Sequence, residues 1–128
     1  MLKWVQCIRR RPELTVVAFR RSWLEYGEEV VSLAAEIGAT RVEVSAALAV
    51  EANAAWQEHR GSAAPFDGLA EIHFLGSAPE FFRRLEEAGP RERVARLLAL
   101  QEDFVDVAHS CFFVASQDVE ASFTLGEG

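Results

Sequence analysis

The chain of 128 residues is poor in the residues that mark disulfide-rich or metal-binding proteins. It contains two cysteines and four prolines, and Cys7 and Cys111 are too far apart to match a metal-ligand spacing. We expect both thiols to be reduced and buried, although pairing of the first and last strands would bring them close together.

Basic charge and long apolar runs are also scarce. The formal net charge is −7, and the single basic run, at residues 9–11, falls at a predicted strand end. Because nucleic-acid binding needs a basic surface that neutralises phosphates, we expect no nucleic-acid partner. No apolar run approaches the roughly 20 residues that cross a bilayer, and no signal-peptide pattern follows Met1. We therefore expect a cytoplasmic protein without a membrane partner.

Hydrophobic residues, in contrast, make up half of the chain, which is enough for the core of one compact domain. Their periodicity predicts the order strand, helix, strand, strand, helix, strand, with an extra helix in the middle and a further helical segment, from residue 91 to about 108, before the last strand. Thr15 is a predicted N-cap of the first long helix, and Ser77 of a later one. The predicted strands are 2–9, 40–49, 69–74 and 111–115. This order predicts an α+β, ferredoxin-like split βαβ fold with a four-stranded antiparallel sheet.

The faces of this predicted sheet indicate an oligomer. Helices cover only one face of such a sheet, yet the first and last strands are apolar on both sides. The uncovered face would be a larger apolar patch than monomers usually expose. A two-fold homodimer would bury this patch if the two sheets face each other. Together the sheets would close into an eight-stranded barrel with room for a small ligand.

The third strand carries the most informative pattern, because Glu71 and His73 alternate with Ala70, Ile72 and Phe74. A carboxylate beside an imidazole suits a general base, with His73 and Glu71 as the candidate catalytic residues. In the opposing interpretation both residues belong to a polar network at the rim of the site or between subunits. The candidate ligand-binding residues are Tyr26, Arg41, Glu43, Trp4 and Gln6, with Trp4 and Gln6 joining the polar face from the first strand.

We expect no metal and no cofactor, because the three histidines lack ligand spacing and no glycine-rich phosphate loop is present.

Four segments carry a recognisable order: residues 2–12 (LKWVQCIRRRP), the helix start with Phe19, Trp23 and Glu25, residues 66–71 (FDGLAE) and residues 103–106 (DFVD). In this order and spacing they resemble the EthD family of the dimeric α+β barrel superfamily. The resemblance implies an EthD-like domain over residues 1–119, followed by a loose tail over 120–128. It also implies a homodimer with a ligand cavity on the sheet face.

Two positions depart from the family pattern. The chain has Tyr26-Gly27-Glu28 where the family commonly has His-Gly-Pro, and Ala46 where a second histidine often stands. The roles of those histidines are therefore not carried over to this chain. Tyr26 lies near the position of the first one, where its hydroxyl would donate to a bound carbonyl. In the alternative interpretation, Tyr26 is a core residue of the apolar helix stripe with only its hydroxyl in contact with water.

Three functions follow as hypotheses. The first is a binding or accessory protein for a small, mostly apolar metabolite of the aromatic, lactone or polyketide-like kind that the family resemblance implies. The second is a cofactor-independent enzyme, such as an isomerase, dehydratase, decarboxylase or oxygenase-like protein, with His73 as base and Glu71 as its orienting partner. In that enzyme Tyr26 or Arg41 would hold a substrate oxygen. The third is a purely structural dimer, with Trp4 and Phe113 filling the cavity.

Overall fold

Four strands and four helices make up the protein in a computed structural model, which describes residues 1–126. The strands are β1 (Leu2–Ile8), β2 (Arg41–Ala46), β3 (Gly68–Phe74) and β4 (Cys111–Ser116). The helices are α1 (Val16–Glu36), α2 (Glu51–Arg60), α3 (Ala78–Glu86) and α4 (Ala88–Phe104). A short 3-10 helix, Val107–His109, precedes β4.

The sheet confirms the predicted ferredoxin-like fold. Its strand order is β2-β3-β1-β4, and each neighbouring pair is antiparallel. β1 therefore lies in the interior of the sheet beside β3 and β4, while β2 and β4 are the two edges. This arrangement is the split βαβ topology that the element order predicts.

The helix ends follow local chemistry. The Thr15 hydroxyl accepts a hydrogen bond from the Ala18 N–H at 3.0 Å, and the Ser77 hydroxyl accepts one from the Glu80 N–H at 3.3 Å, so both predicted N-caps are confirmed. The helix predicted up to residue 108 ends earlier, at Phe104. Its next residue, Val105, is extended and forms an isolated β-bridge with Arg10, which ends the helix because this backbone pairs across the chain instead.

The core lies between the sheet and helices α1, α3 and α4. One stripe of α1 packs there, and Trp23 covers the start of β3, where a methyl group on Gly68 would lie 2.7 Å from the indole ring. Glycine is therefore required at this close approach. The buried apolar side chains of the core include Phe19, Trp23, Tyr26, Val30, Leu33, Ile37, Ala70, Ile72, Phe74, Phe81, Leu97 and Phe104.

Other parts of the chain contribute little to this core. Helix α2 has no buried residue, and Trp56 within it is exposed. The predicted loose tail begins at residue 120; residues 117–126 contain no helix or strand, and residues 127 and 128 lie outside the described part of the chain. Within residues 1–126, none of the helices has the length and apolar character needed to cross a bilayer.

Candidate functional site

The register of the sheet divides the predicted site residues between two faces. On β1, Val5 is paired with Glu71 and Lys3 with His73, and directly paired residues of antiparallel strands point to the same face. The predicted placement of Trp4 and Gln6 beside Glu71 and His73 is therefore wrong. Both lie on the other face, against the helices, because β1 alternates with a period of two residues.

The face without helices, here called the open face, carries the charged candidates. Glu43 of β2 is paired directly with Glu71 of β3, and Arg41 with His73. Arg41 Nε lies 2.8 Å from Glu43 Oε1, and Lys3 Nζ lies 3.6 Å from Glu71 Oε1. The predicted grouping of Arg41, Glu43, Glu71 and His73 on one face is confirmed by this register, with Lys3 as an addition.

His73 is the most enclosed member of this group, with 8% of its surface exposed. Its Nε2 lies 3.8 Å from Glu43 Oε1, which is too long for a hydrogen bond. Within residues 1–126 this nitrogen is buried without a hydrogen-bond partner. The carboxylate that faces it directly is thus Glu43, while Glu71 is paired with Lys3.

A polar cavity of 540 Å³ lies over the His73 end of the open face. Its walls include Lys3, Arg41, Glu43 and His73, together with Gln117 and a part of the tail, 119–122. The tail therefore lies beside the charged group, which the sequence pattern does not indicate.

The helix side carries a different polar group, centred on Tyr26. Its hydroxyl donates to the side-chain oxygen of Gln6 and accepts from Gln101 Nε2 at 2.8 Å. Burial raises the pKa of Tyr26 to about 12, against the opposing effect of the two glutamine hydrogen bonds. The phenol is therefore neutral at physiological pH and acts as a hydrogen-bonding group, not as a base.

An apolar cavity of 260 Å³ adjoins Tyr26; we call it the α4 cavity. Trp4 and Tyr26, two predicted ligand-binding residues, lie in its wall, and Gln6 lies behind them through its hydrogen bond to Tyr26. The full lining is Trp4, Tyr26, Val94, Leu97, Leu98, Gln101, Val107 and Phe112.

Gln101 is the site residue that sequence reasoning missed. It is buried on α4 in line with Leu97 and Phe104, at spacings of four and three residues. A glutamine within such an apolar stripe is a signal for a buried polar contact, because a buried amide needs hydrogen-bond partners. Its partner, Tyr26, lies 75 positions away in sequence, so the contact itself emerges only from the fold.

The two cysteines face each other across the β1–β4 pair on the open face. Both are free thiols, and Cys111 is exposed in the single chain while Cys7 is half-buried. The expectation that both are buried is wrong for Cys111, because within residues 1–126 no element covers this face at β4. Burial, with Cys111 and Glu71 nearby, raises the pKa of Cys7 above its ordinary value.

Comparison with known proteins supports the fold. No protein-family model matches the chain, and no curated protein matches it in sequence. A dimeric protein of unknown function with a ferredoxin-like fold from Bacteroides fragilis NCTC 9343 is similar in structure, with a TM-score of 0.63 at 11% identity over 91% of this chain and 95% of that one.

Two further solved structures span almost the whole chain. HapK from Hahella chejuensis has a TM-score of 0.59 at 14% identity, covering 98% of this chain and 100% of its own. A putative antibiotic biosynthesis monooxygenase from Deinococcus radiodurans has a TM-score of 0.52 at 15% identity, with the same coverage of 98% and 100%. At these identities the likeness establishes the ferredoxin-like fold.

Proposed function

We propose that the protein is a homodimeric, EthD-like barrel protein that binds a small, mostly apolar molecule in the α4 cavity. The observation that carries this proposal is the composition of the cavity wall, in which apolar side chains stand beside Tyr26 and Gln101, a hydrogen-bonded pair. Apolar walls with a few fixed polar groups are the usual form of a small-molecule site. The ligand's polar atom would lie near Gln101, the amide residue of this wall, whose Nε2 donates to the Tyr26 hydroxyl.

The size of the cavity limits the ligand class. Benzene occupies an engineered cavity of about 150 Å³, so 260 Å³ holds roughly ten non-hydrogen atoms on the same scale. A one- or two-ring aromatic compound or a small lactone fits this volume. A polyketide-like molecule would place one ring there and extend through the opening.

Exposed apolar side chains on the open face support the homodimer. Leu69 and Phe113 lie on it and are 38% and 47% exposed in the single chain, and no helix covers them within residues 1–126. A second sheet placed against this face would remove that apolar surface from water. The dimeric state of the Bacteroides fragilis protein with the same fold is consistent with this arrangement.

The test of ligand binding uses indole and 2-naphthol as probes, with dissociation constants measured by calorimetry. Val94→Phe places a larger side chain in the cavity wall, and we expect it to weaken probe binding by about tenfold or more. Ala99→Phe is the matched control, because it adds a phenyl ring at an exposed position of the same helix. Equal weakening by both variants, or no binding to the unaltered protein, would contradict the proposal and favour a purely structural dimer.

A second candidate function is favoured by His73, whose buried Nε2 has no hydrogen-bond partner within the described residues. In a cofactor-independent enzyme this nitrogen would remove a proton from an activated C–H group, with Glu43 or Glu71 stabilising the imidazolium that forms. The test measures deuterium incorporation from D₂O into ketones with acidic C–H bonds by mass spectrometry. His73→Ala should slow the exchange by roughly 100-fold, whereas His59→Ala, on the exposed surface of α2, should not.

A further inference from the structure

Two opposing strands bring three metal-ligating side chains together on the open face. Glu43, Glu71 and His73 each offer one donor atom, and these atoms all lie within 4.8 Å of one another. The two glutamates are direct cross-strand partners, and like charges in that position repel each other. A cation between them would turn this repulsion into attraction.

The state of His73 points independently to a ligand at this place. The residue is more than nine-tenths buried, and its Nε2 has no hydrogen-bond partner in the part of the chain that the structure describes. A buried polar atom without a partner is costly and uncommon in folded proteins. This nitrogen lies 3.8 Å from Glu43 Oε1, so an ion held by the carboxylates would lie within its reach.

We propose that Glu43, Glu71 and His73 bind one first-row divalent transition-metal ion, with Zn²⁺ as the expected ion. Two carboxylate oxygens and one imidazole nitrogen are common ligands of such ions. In a tetrahedral zinc site, ligand atoms are about 3.4 Å apart, given metal–ligand distances of about 2.0–2.2 Å. His73 and Glu43 are 3.8 Å apart and all three donor atoms lie within 4.8 Å of one another, so the side chains must draw closer when they bind the ion.

The surroundings give the ion access and an open coordination position. Three protein ligands leave the fourth position of a tetrahedral ion free, which is the pattern of catalytic zinc sites. Glu43 and His73 line the polar cavity of 540 Å³, so water or a small oxygen-containing molecule can reach that position.

Two cations oppose the metal in the present arrangement. Lys3 pairs with Glu71 at 3.6 Å and Arg41 with Glu43 at 2.8 Å, so the ion must displace both from the carboxylates. This competition predicts a moderate affinity that rises when one of the cations is removed. The site lies on the opposite face of the sheet from the α4 cavity and is independent of ligand binding there. An ion bound to His73 Nε2 would occupy the nitrogen that acts as the base in the second candidate function, so the two roles exclude each other.

The test titrates Co²⁺ and then Zn²⁺ into the full-length protein after treatment with a chelator. We expect one ion per chain, with the strong visible absorption of tetrahedral Co²⁺, lost when Zn²⁺ is added. His73→Ala, Glu43→Gln and Glu71→Gln should each weaken Zn²⁺ binding by about 100-fold, in line with the loss of a protein ligand. Lys3→Gln should strengthen it by about tenfold, because a competing charge is removed.

Matched controls separate this site from adventitious binding. His59→Ala removes an exposed imidazole on α2 and should leave the affinity unchanged, and circular dichroism establishes that each variant is folded. Equal binding by the His73→Ala and His59→Ala proteins, or weaker binding after Lys3→Gln, would overturn the proposal. So would the absence of saturable binding to the unaltered protein. Indole binding in the α4 cavity is measured in parallel, so a failure here is distinct from a failure of the ligand-binding proposal.

Discussion

The two faces of the sheet are built on different principles. Toward the helices, buried aromatic side chains pack on one another, and the Tyr26 hydroxyl has a partner on each side in Gln6 and Gln101. On the open face, Phe113 is exposed and His73 Nε2 has no hydrogen-bond partner within residues 1–126. The chain thus covers one face of the sheet with its own helices and pairs the polar groups there. On the other face, apolar surface and a polar atom remain without a partner within residues 1–126. In our proposals the partners are a second copy and a metal ion.

Truncating one phenylalanine on each face of the sheet should lower stability by very different amounts. Phe81 is fully buried against Trp4 and Phe74, so Phe81→Ala should lower the free energy of unfolding by about 3–5 kcal/mol. Phe113 is 47% exposed in the single chain, and Phe113→Ala should cost less than about 1 kcal/mol in dilute solution. Urea denaturation followed by circular dichroism measures both values.

The two variants should also differ in how their stability depends on protein concentration. If the open face joins two chains, the cost of Phe113→Ala should increase between about 1 μM and 100 μM protein, because association stabilises the folded chain by mass action. The cost of Phe81→Ala should increase far less. A Phe113→Ala cost that is independent of concentration, together with a monomer by light scattering, would contradict the dimer.

A smaller effect is expected from the polar contact on the helix side. The pKa of Tyr26 is about 12 in the folded chain against an ordinary value of 10.0. The folded state therefore holds this proton more tightly, so the stabilisation is complete below pH 10 and is lost as pH rises toward 12. At about 1.4 kcal/mol for each pH unit, the free energy of unfolding should fall by about 2.7 kcal/mol over that range.

Tyr26→Phe isolates this contribution. The variant lacks the titrating hydroxyl, so its stability should fall less steeply between about pH 10 and 12 than that of the unaltered protein. At neutral pH it should be less stable by about 1–3 kcal/mol, because Gln6 and Gln101 each lose a partner. Parallel pH profiles for the two proteins would show that Tyr26 ionises as freely as in water.

Cys111 is exposed on the open face, and its reaction with thiol reagents should depend only modestly on protein concentration. In a Cys7→Ser protein, a thiol reagent such as DTNB should modify Cys111 severalfold more slowly at high protein concentration, because a second sheet would cover the thiol. The matched control is Cys7→Ser/Cys111→Ser/Ala55→Cys, with its thiol on the exposed helix α2. The same concentration dependence at both thiols would contradict coverage of the open face.

The fold was predictable because its evidence is local. Alternation in β3, the apolar stripe of α1 and the caps at Thr15 and Ser77 each depend on residues close in sequence. Together they give the element order, and that order admits few topologies. The end of α4 was missed because the competing contact, the Arg10–Val105 bridge, joins distant segments.

The candidate site was predictable only in part, because some of its contacts join segments that are distant in sequence. The shared face of Glu71 and His73 follows from their spacing, and their proximity to Glu43 follows once β2 pairs with β3. The face of β1 was assigned wrongly, since a strand that is apolar on both sides does not reveal which side meets the helices. The hydrogen bond of Gln101 to Tyr26 required the packed structure.

The composition of strand β4 bears on the tendency of the chain to aggregate. It forms an edge of the sheet, and its six residues, CFFVAS, include no charge and no proline. Short, uncharged segments rich in β-forming residues are those that seed cross-β aggregates when an edge is left free. Residues 111–116 are therefore an aggregation hazard as long as this edge is not covered.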